Sequence, residues 1–205
     1  VNSNDDMKGS YLGTKFNQDE IEKELKIVGA DFEILKYEEL IDKTAEFLSN
    51  EKVVGWFQGR MEFGPRALGG RSILGDPRSP NMQKNLNLKV KYRESFRPFA
   101  PSVLLDDVDK WFELREESPY MLMVAKVKNE KIFKMSEKDQ ELFGIDKLNI
   151  VRSEIPSVTH IDYSARIQTV NEKTNPDYFN LIKKFKEITG CPILVNTSFN
   201  VRGAP

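Results

Sequence analysis

The strongest structural signal in the sequence is an amphipathic helix followed at once by a short apolar strand. Residues 176–189 begin with proline, repeat apolar side chains at helical spacing and end before Gly190, which is the usual punctuation of a helix. Residues 192–195 (PILV) are then continuously apolar, as in a strand covered on both faces. Such a strand needs neighbours to pair with and helices to cover it. The pair therefore indicates a layered domain built on a sheet.

Shorter segments along the chain repeat this alternation of helix and strand. Further helices are predicted over 18–28, 37–48, 81–90 and 106–114, and further strands over 52–57, 99–105, 120–128 (buried), 158–161 and 167–170. The glycine- and proline-rich residues 58–80 are expected to be an irregular connection. The order predicts an α/β or α+β sheet domain. Residues 1–18 are polar and are interpreted as a linker, which leaves residues 19–205 as a single domain.

Composition excludes several classes of protein. One cysteine and one histidine in 205 residues cannot form a disulfide framework, and they make a zinc site of the usual kind very improbable. The longest apolar run, Tyr120 to Ala125, is far shorter than a membrane helix requires. The chain opens at Val1 and stops abruptly after Gly203-Ala204-Pro205, so we expect it to be an excised fragment of a longer protein. We expect a cytoplasmic location.

A neutral total charge conceals a strongly basic segment. Residues 60–97 hold nine basic and three acidic side chains, a net charge of +6 in a chain whose total is −1. Six of the nine are arginine, although lysine outnumbers arginine elsewhere. Arginine presents a planar fork that matches phosphate and carboxylate oxygens. The segment therefore predicts an anion site, and the alternative is a solvated charged face.

The first candidate cluster consists of Arg60, Arg66 and Arg71 in a loop rich in glycine. Glycine lets a backbone turn sharply and approach a ligand closely, and three guanidinium groups suit a phosphate or a carboxylate. The loop contains neither a Walker phosphate loop nor a GxGxxG motif.

The second cluster consists of Lys91, Arg93 and Arg97, with Glu94 as a possible ion-pair partner. If this segment is extended, alternation sends the three cations to one face. A basic edge strand guarded by prolines is the alternative.

The third cluster, Asn196, Ser198 and Asn200, follows the apolar strand directly. Amide and hydroxyl groups at the carboxyl end of a buried strand are well placed to bind a ligand. An ordinary turn is the alternative.

Five segments in fixed order carry a resemblance to a known family. They are GRMEFGPRALGGRSIL (59–74), KYRESFRPFAPSV (91–103), PYM (119–121), THIDYSARIQTV (159–170) and CPILVNTSFNVRGAP (191–205). From about Leu12 to its end the chain resembles the carboxyl-terminal domain of the NodU/CmcH-type O-carbamoyltransferases. That resemblance implies a YrdC-like fold, a twisted open α/β sheet with flanking helices. The family continues past Pro205, and it commonly has glycine where this chain has Tyr163.

The resemblance also implies a function. A domain of this family takes ATP, with Mg²⁺, and carbamoyl phosphate, and it forms carbamoyl-adenylate and pyrophosphate. A separate amino-terminal domain, which holds a metal such as iron, then passes the carbamoyl group to a hydroxyl of a small molecule or glycan. The chain by itself would carry at most the adenylation half-reaction, with no metal site of its own.

On this reading the predicted site comprises ten residues. Arg60, Arg66 and Arg71 would hold carbamoyl phosphate and polyphosphate, and Lys91, Arg93 and Arg97 would hold the triphosphate. Asn196, Ser198 and Asn200 would hold the adenylate and carbonyl groups. The tenth residue is Arg166, in the segment 159–170. Two other functions stay open, an RNA- or nucleotide-binding module without catalysis and a structural docking domain. The basic segment lacks an aromatic stacking pattern, which argues against RNA, and no membrane partner is expected.

Overall fold

The computed structural model describes residues 5–200, which form a six-stranded sheet with flanking helices. The helices are α1 (Gln18–Ile27), α2 (Tyr37–Ser49), α3 (Met82–Asn85), α4 (Val108–Trp111), α5 (Glu137–Glu141), α6 (Gly144–Leu148) and α7 (Pro176–Thr189). The strands are β1 (Val54–Phe57), β2 (Arg71–Gly75), β3 (Ala100–Leu104), β4 (Met123–Lys126), β5 (Ser164–Val170) and β6 (Ile193–Ser198). The predicted α/β class is confirmed.

The sheet is open and mixed, with the order β1-β2-β6-β3-β5-β4. Only β3 and β5 run parallel, and the other neighbours are antiparallel. In this register Ser102 pairs with Gln168 on one side, while Ala100 pairs with Asn196 on the other. Directly paired residues and residues two apart share a face. One face of the three central strands therefore carries a row of polar side chains.

Helix α7 and strand β6 confirm the strongest sequence prediction. Asn175 caps the helix by accepting a hydrogen bond from the Tyr178 backbone N–H (3.2 Å), and Gly190 ends it in the left-handed conformation. Tyr178 and Phe185 of α7 are completely buried, and the helix packs against α2, β3 and β6. Strand β6 itself lies inside the sheet, between β2 and β3.

Four of the secondary-structure predictions are wrong or too long. Residues 58–80 contain strand β2, which begins at an arginine and ends at a glycine and so lacks an apolar pattern at its ends. Residues 120–128 are not a buried strand, because β4 is short and lies largely exposed at the edge of the sheet. Residues 158–161 form no strand, and Val158 ends the 3₁₀ turn Pro156–Val158. Residues 106–114 hold only the end of the 3₁₀ turn Leu105–Asp107 and the single turn of α4.

Tyr163, where the family commonly has glycine, adopts a left-handed backbone conformation that glycine accommodates more easily. Its φ is +63°, in the left-handed region that costs an L-residue roughly 1–2 kcal/mol. Its N–H donates to the His160 carbonyl (2.9 Å), and its carbonyl accepts from Val127 (2.8 Å). These two backbone hydrogen bonds hold Tyr163 in this conformation.

Within residues 5–200, no helix has the length and apolar character needed to cross a membrane.

Candidate anion-binding site

The basic loop, the basic segment and the end of β6 meet at a cavity of about 210 Å³. Its lining includes residues from all three predicted clusters, namely Arg66, Arg93, Asn196 and Ser198. The other lining residues are Arg166, Thr197, Pro65, Ala67, Pro98, Phe99, Ala100 and Met121. Among the described residues, none that lines it is acidic. Residues of the three segments therefore line one common cavity.

A buried glutamate gives the loop that carries Arg66 its shape. Glu62 is only 7% exposed, and its Oε1 accepts hydrogen bonds from the backbone N–H groups of Leu68 (2.7 Å), Gly70 (3.0 Å) and Arg71 (3.2 Å). Its other oxygen is buried without a partner among the described residues. A carboxylate in this position replaces the paired backbone groups that an irregular loop lacks. Glu62 is thus a support for Arg66 rather than an ion-pair partner of it.

Two glycines of the same loop are fixed by close contacts. A Cβ at Gly69 would lie 2.3 Å from the Tyr178 ring, and one at Gly70 would lie 2.8 Å from the Arg60 carbonyl oxygen. Gly69 also has a positive φ of +102°, which favours glycine.

Arg71 lies outside the cavity and stabilises the loop from behind. Its guanidinium group donates to the carbonyl oxygens of Gln58 (2.7 Å), Gly70 (2.8 Å), Thr14 (3.1 Å) and Gly59 (3.2 Å). It also stacks on the Phe57 ring at 3.5 Å. With its donors engaged by the protein, Arg71 has little left to offer a ligand.

Part of the predicted linker is built into this scaffold. Gly13 N–H donates to the Met61 carbonyl, and Met61 N–H donates to the Thr14 carbonyl, both at 2.9 Å. The Tyr11 hydroxyl donates to the Leu68 carbonyl at 2.6 Å. Residues 11–14 therefore lie alongside the arginine loop.

The segment that carries Arg93 is not extended, so the predicted alternation of its side chains is wrong. Residues Leu86–Lys91 form one π-helical turn that ends at Tyr92 with a φ of +49°. Buried Asn87 then holds the next residues: its Oδ1 accepts from Arg93 Nε (2.6 Å), and its Nδ2 donates to the Arg97 carbonyl (2.8 Å). Arg93 stacks on Phe99 at 4.8 Å. This arrangement turns Arg93 into the cavity.

Arg97 and Arg60 lie away from the cavity. Arg97 pairs with Glu94 at 3.0 Å, and both side chains are 55% exposed. Arg60 is exposed and donates to the Gly13 carbonyl at 3.1 Å. Exposed pairs of this kind contribute little to stability.

Arg66 and Arg166 concentrate positive charge at the cavity. The Nε atoms of both are buried without a hydrogen-bond partner in the described part of the chain. Burial, with a further contribution from Arg66, lowers the pKa of Arg166, yet an arginine stays charged. Two half-buried guanidinium groups near each other, each with an unpaired Nε, favour an anion beside them.

Asn196 lines the cavity and has one unsatisfied acceptor. Its Nδ2 donates to the Ala67 carbonyl (3.0 Å), to Ser102 Oγ (3.1 Å) and to Gln168 Oε1 (2.9 Å). These three acceptors determine which way the amide faces. Asn196 Oδ1 is consequently left buried and without a partner among the described residues. An N–H group of a ligand would satisfy it.

Lys91 lies beside the cavity and forms hydrogen bonds with residues at the end of β6. Its Nζ donates to the Ser198 carbonyl, to Ser198 Oγ (3.2 Å) and to Asn200 Oδ1 (2.7 Å). Burial and the nearby Arg93 lower the pKa of Lys91 to about 8. The charge of this lysine is therefore lost within an accessible pH range.

Anion binding should weaken as Lys91 loses its proton. The protonated form attracts an anion, so the affinity is highest well below pH 8 and falls as the pH rises through 8. For a pKa of about 8, the affinity should fall roughly tenfold between pH 7 and pH 9. Titration calorimetry with inorganic sulfate, whose own charge is constant over this range, measures the effect. Lys91→Met should bind sulfate weakly with a flat profile. A wild-type profile as flat as that of the variant would contradict the assignment.

The structure thus separates the ten predicted site residues into three groups. Five line the cavity, namely Arg66, Arg93, Arg166, Asn196 and Ser198. Lys91 and Asn200 contact its edge, while Arg60, Arg71 and Arg97 point elsewhere. Sequence reasoning missed the supports Glu62, Asn87 and Gln168. Glu62 could have been noticed in the sequence, because it is the sole acidic residue of a basic loop. Nothing in the sequence distinguishes Asn87 or Gln168.

Within the described residues, no three histidine, cysteine, aspartate or glutamate side chains come together as a metal site would require. The fold and the cavity define an α/β domain with a recessed cavity lined by arginines. The chain belongs to the family described as the carbamoyltransferase C-terminus, whose model matches residues 45–205.

Longer proteins match all or nearly all of the chain. It is 57% identical over its full length to the uncharacterized protein sll1178 of Synechocystis, of which it spans 34%. It is 41% identical to the nodulation protein NolNO of Sinorhizobium fredii, over 93% of the chain and 26% of that protein. It is 40% identical to the nodulation protein NolO of Bradyrhizobium diazoefficiens, over 92% of the chain and 31% of that protein. The chain therefore spans a quarter to a third of these relatives.

Proposed function

We propose that this domain binds carbamoyl phosphate and Mg²⁺-ATP and forms carbamoyl-adenylate. The observation that carries the proposal is that Arg66, Arg93 and Arg166 line one cavity. No described residue of that lining carries a carboxylate. Such a site is stabilised when oxyanions enter it. Membership of the carbamoyltransferase family and the arginine-lined cavity both support the proposal.

The unpaired Asn196 Oδ1 supports a carbamoyl group in particular. The carbamoyl amide donates hydrogen bonds, whereas the methyl group of acetyl phosphate cannot. A buried acceptor left unpaired costs about 1–3 kcal/mol, so carbamoyl phosphate should be preferred over acetyl phosphate by roughly tenfold to a hundredfold. A site that hydrogen-bonds a substrate N–H rejects an analogue that lacks it.

The proposed reaction needs water as well as the two phosphates. Water cleaves carbamoyl phosphate into carbamate and inorganic phosphate. A carbamate oxygen then forms a bond to the α-phosphorus of ATP, and the bond from that phosphorus to the bridging oxygen breaks, so pyrophosphate leaves with the electron pair. Negative charge gathers on the oxygens around the phosphorus, and the guanidinium groups of Arg66, Arg93 and Arg166 would stabilise it. Transfer to an acceptor hydroxyl would require a further domain, as the length of the relatives suggests.

Pyrophosphate release tests this proposal. The 205-residue chain, supplied with Mg²⁺-ATP, should release pyrophosphate only when carbamoyl phosphate is present, and acetyl phosphate should be a poor substitute. Release that is independent of carbamoyl phosphate would contradict the proposal. Tight binding of a 20-mer RNA in place of turnover would favour the alternative of an RNA-binding module.

A further inference from the structure

Three buried polar side chains from neighbouring strands form a hydrogen-bond network beside the arginine cavity. Ser102 of β3, Gln168 of β5 and Asn196 of β6 are almost completely buried, and the register of the sheet places them on one face. Of the three, Asn196 alone lines the cavity. Buried polar groups have to be hydrogen-bonded to one another, so each member of the network constrains the orientation of the next.

The Leu68 carbonyl group determines the orientation of the Gln168 amide. Gln168 Nε2 donates to this carbonyl oxygen at 2.8 Å, and a backbone carbonyl can only accept. The reversed amide would place Gln168 Oε1 against that oxygen and its NH₂ group against the NH₂ group of Asn196. Gln168 Oε1 therefore faces Ser102 and Asn196.

This oxygen in turn determines the orientation of the Asn196 amide. Gln168 Oε1 accepts from Ser102 Oγ at 2.6 Å and from Asn196 Nδ2 at 2.9 Å. Because the Ser102 hydroxyl proton points to Gln168, Ser102 Oγ can only accept from Asn196, at 3.1 Å. The Ala67 carbonyl also accepts from Asn196 Nδ2. All of these groups select the nitrogen, and Asn196 Oδ1 is the atom left without a partner among the described residues.

The network begins and ends in the loop that carries Arg66. The Leu68 carbonyl accepts from Gln168, while the Leu68 N–H donates to buried Glu62. Residues 66–68 thus carry the Arg66 guanidinium group, which attracts an oxyanion, and also two carbonyl groups that orient the Asn196 amide. A ligand with both an oxyanion and an N–H group matches this pair of features.

We propose that Gln168 is a positioning residue that sets the preference of the site for a substrate with an N–H group next to its phosphate. This inference rests on the proposed function for the identity of that substrate, carbamoyl phosphate. Gln168 lies outside the cavity lining and acts through Asn196, whose Oδ1 it keeps available as an acceptor. Without Gln168, the Ser102 hydroxyl proton is free to turn towards Asn196, and the amide can reverse.

Two stable analogues test this role without turnover. Phosphonoacetamide resembles carbamoyl phosphate, and in acetonylphosphonate a methyl group replaces the NH₂ group. Titration calorimetry of the 205-residue chain should show a preference for phosphonoacetamide of roughly tenfold to a hundredfold. Gln168→Met, which keeps the volume but removes the amide, should reduce this ratio roughly tenfold. Sulfate should bind the variant and the wild type alike.

Ser102→Ala controls for the loss of buried hydrogen bonds. It removes two of them and lowers stability, as Gln168→Met does, but it leaves Gln168 Oε1 against Asn196 Nδ2. The ratio of the two affinities should therefore persist in Ser102→Ala. Gln140→Met makes the glutamine substitution at an exposed position and should change neither the ratio nor the stability.

Amide proton exchange in the wild type tests the same arrangement without a variant. The side-chain NH₂ protons of Asn196 should exchange slowly with solvent, because acceptors inside the protein engage them. Rapid exchange of these protons would overturn the inference. Equal affinity of the wild type for the two analogues, or equal ratios in the wild type and Gln168→Met, would overturn it as well. A ratio that falls in Gln168→Met, without any pyrophosphate release by the wild type, would support this inference and contradict the proposed function.

Discussion

Arg66→Lys is expected to lower the rate of pyrophosphate release roughly tenfold to a hundredfold. Lysine keeps the charge but loses the second hydrogen bond of the guanidinium fork, and a hydrogen bond to a charged group contributes about 1.5–3 kcal/mol. The melting temperature should hardly change, because Arg66 forms no ion pair in the described part of the chain and its Nε is unpaired. Both quantities are measured on the same protein, by pyrophosphate release and by thermal unfolding.

The control for this change is Arg115→Lys, which makes the same substitution at an exposed position outside the cavity. It should alter neither quantity. An Arg66→Lys variant that melts several degrees lower and releases pyrophosphate at the wild-type rate would show that Arg66 is structural. Neither glutamate that could have clamped it does so, since Glu62 accepts backbone N–H groups and Glu94 pairs with Arg97.

Glu62→Ala should have the largest effect on stability of any change near the site. It removes the acceptor of three backbone N–H groups, two of them in buried bonds, and unpaired buried donors cost about 1–3 kcal/mol each. A total loss of about 3 kcal/mol or more would lower the melting temperature of a chain of this size by roughly 6–12 °C. Thermal unfolding followed by circular dichroism measures this shift.

Two further variants show what Glu62 contributes. Glu62→Gln keeps an acceptor oxygen and should lose much less stability, and Glu116→Ala, at an exposed position, should lose almost none. At temperatures where Glu62→Ala is still folded, pyrophosphate release should fall as well, because the loop no longer holds Arg66 in place. Wild-type stability in Glu62→Ala would contradict the role assigned to this carboxylate.

The sequence allowed the main elements to be predicted because their signals are local. Helix α7 repeats its apolar side chains at helical spacing, and β6 is uninterruptedly apolar, so both were evident before the structure. Strand β2 was not, because its pairing with β1 and β6 compensates for a sequence that begins at Arg71 and ends at Gly75. Pairing between distant segments leaves little trace in a short stretch of sequence.

The candidate site was predictable in its residue types but not in their orientation. Arginine, amide and hydroxyl side chains indicated the three segments that line the cavity. The direction of the individual side chains depends on the π-helical turn before Tyr92, after which Arg93 lines the cavity and Arg97 is exposed. Likewise, Arg66 and Arg71 occupy the same loop, but four carbonyl oxygens engage Arg71. Local backbone conformation, which no charge pattern encodes, separates the ligand-facing arginines from the structural ones.

Direct detection of the intermediate tests the central claim, that the cavity of Arg66, Arg93 and Arg166 supports carbamoyl-adenylate formation. ATP labelled at the α-phosphorus is mixed with the 205-residue chain, Mg²⁺ and carbamoyl phosphate, and the reaction is quenched and separated within seconds. The account predicts a labelled species that contains both the carbamoyl group and AMP, that requires carbamoyl phosphate, and that is strongly reduced in Arg66→Lys. Labelled ADP or AMP alone, in amounts that do not depend on carbamoyl phosphate, would contradict it.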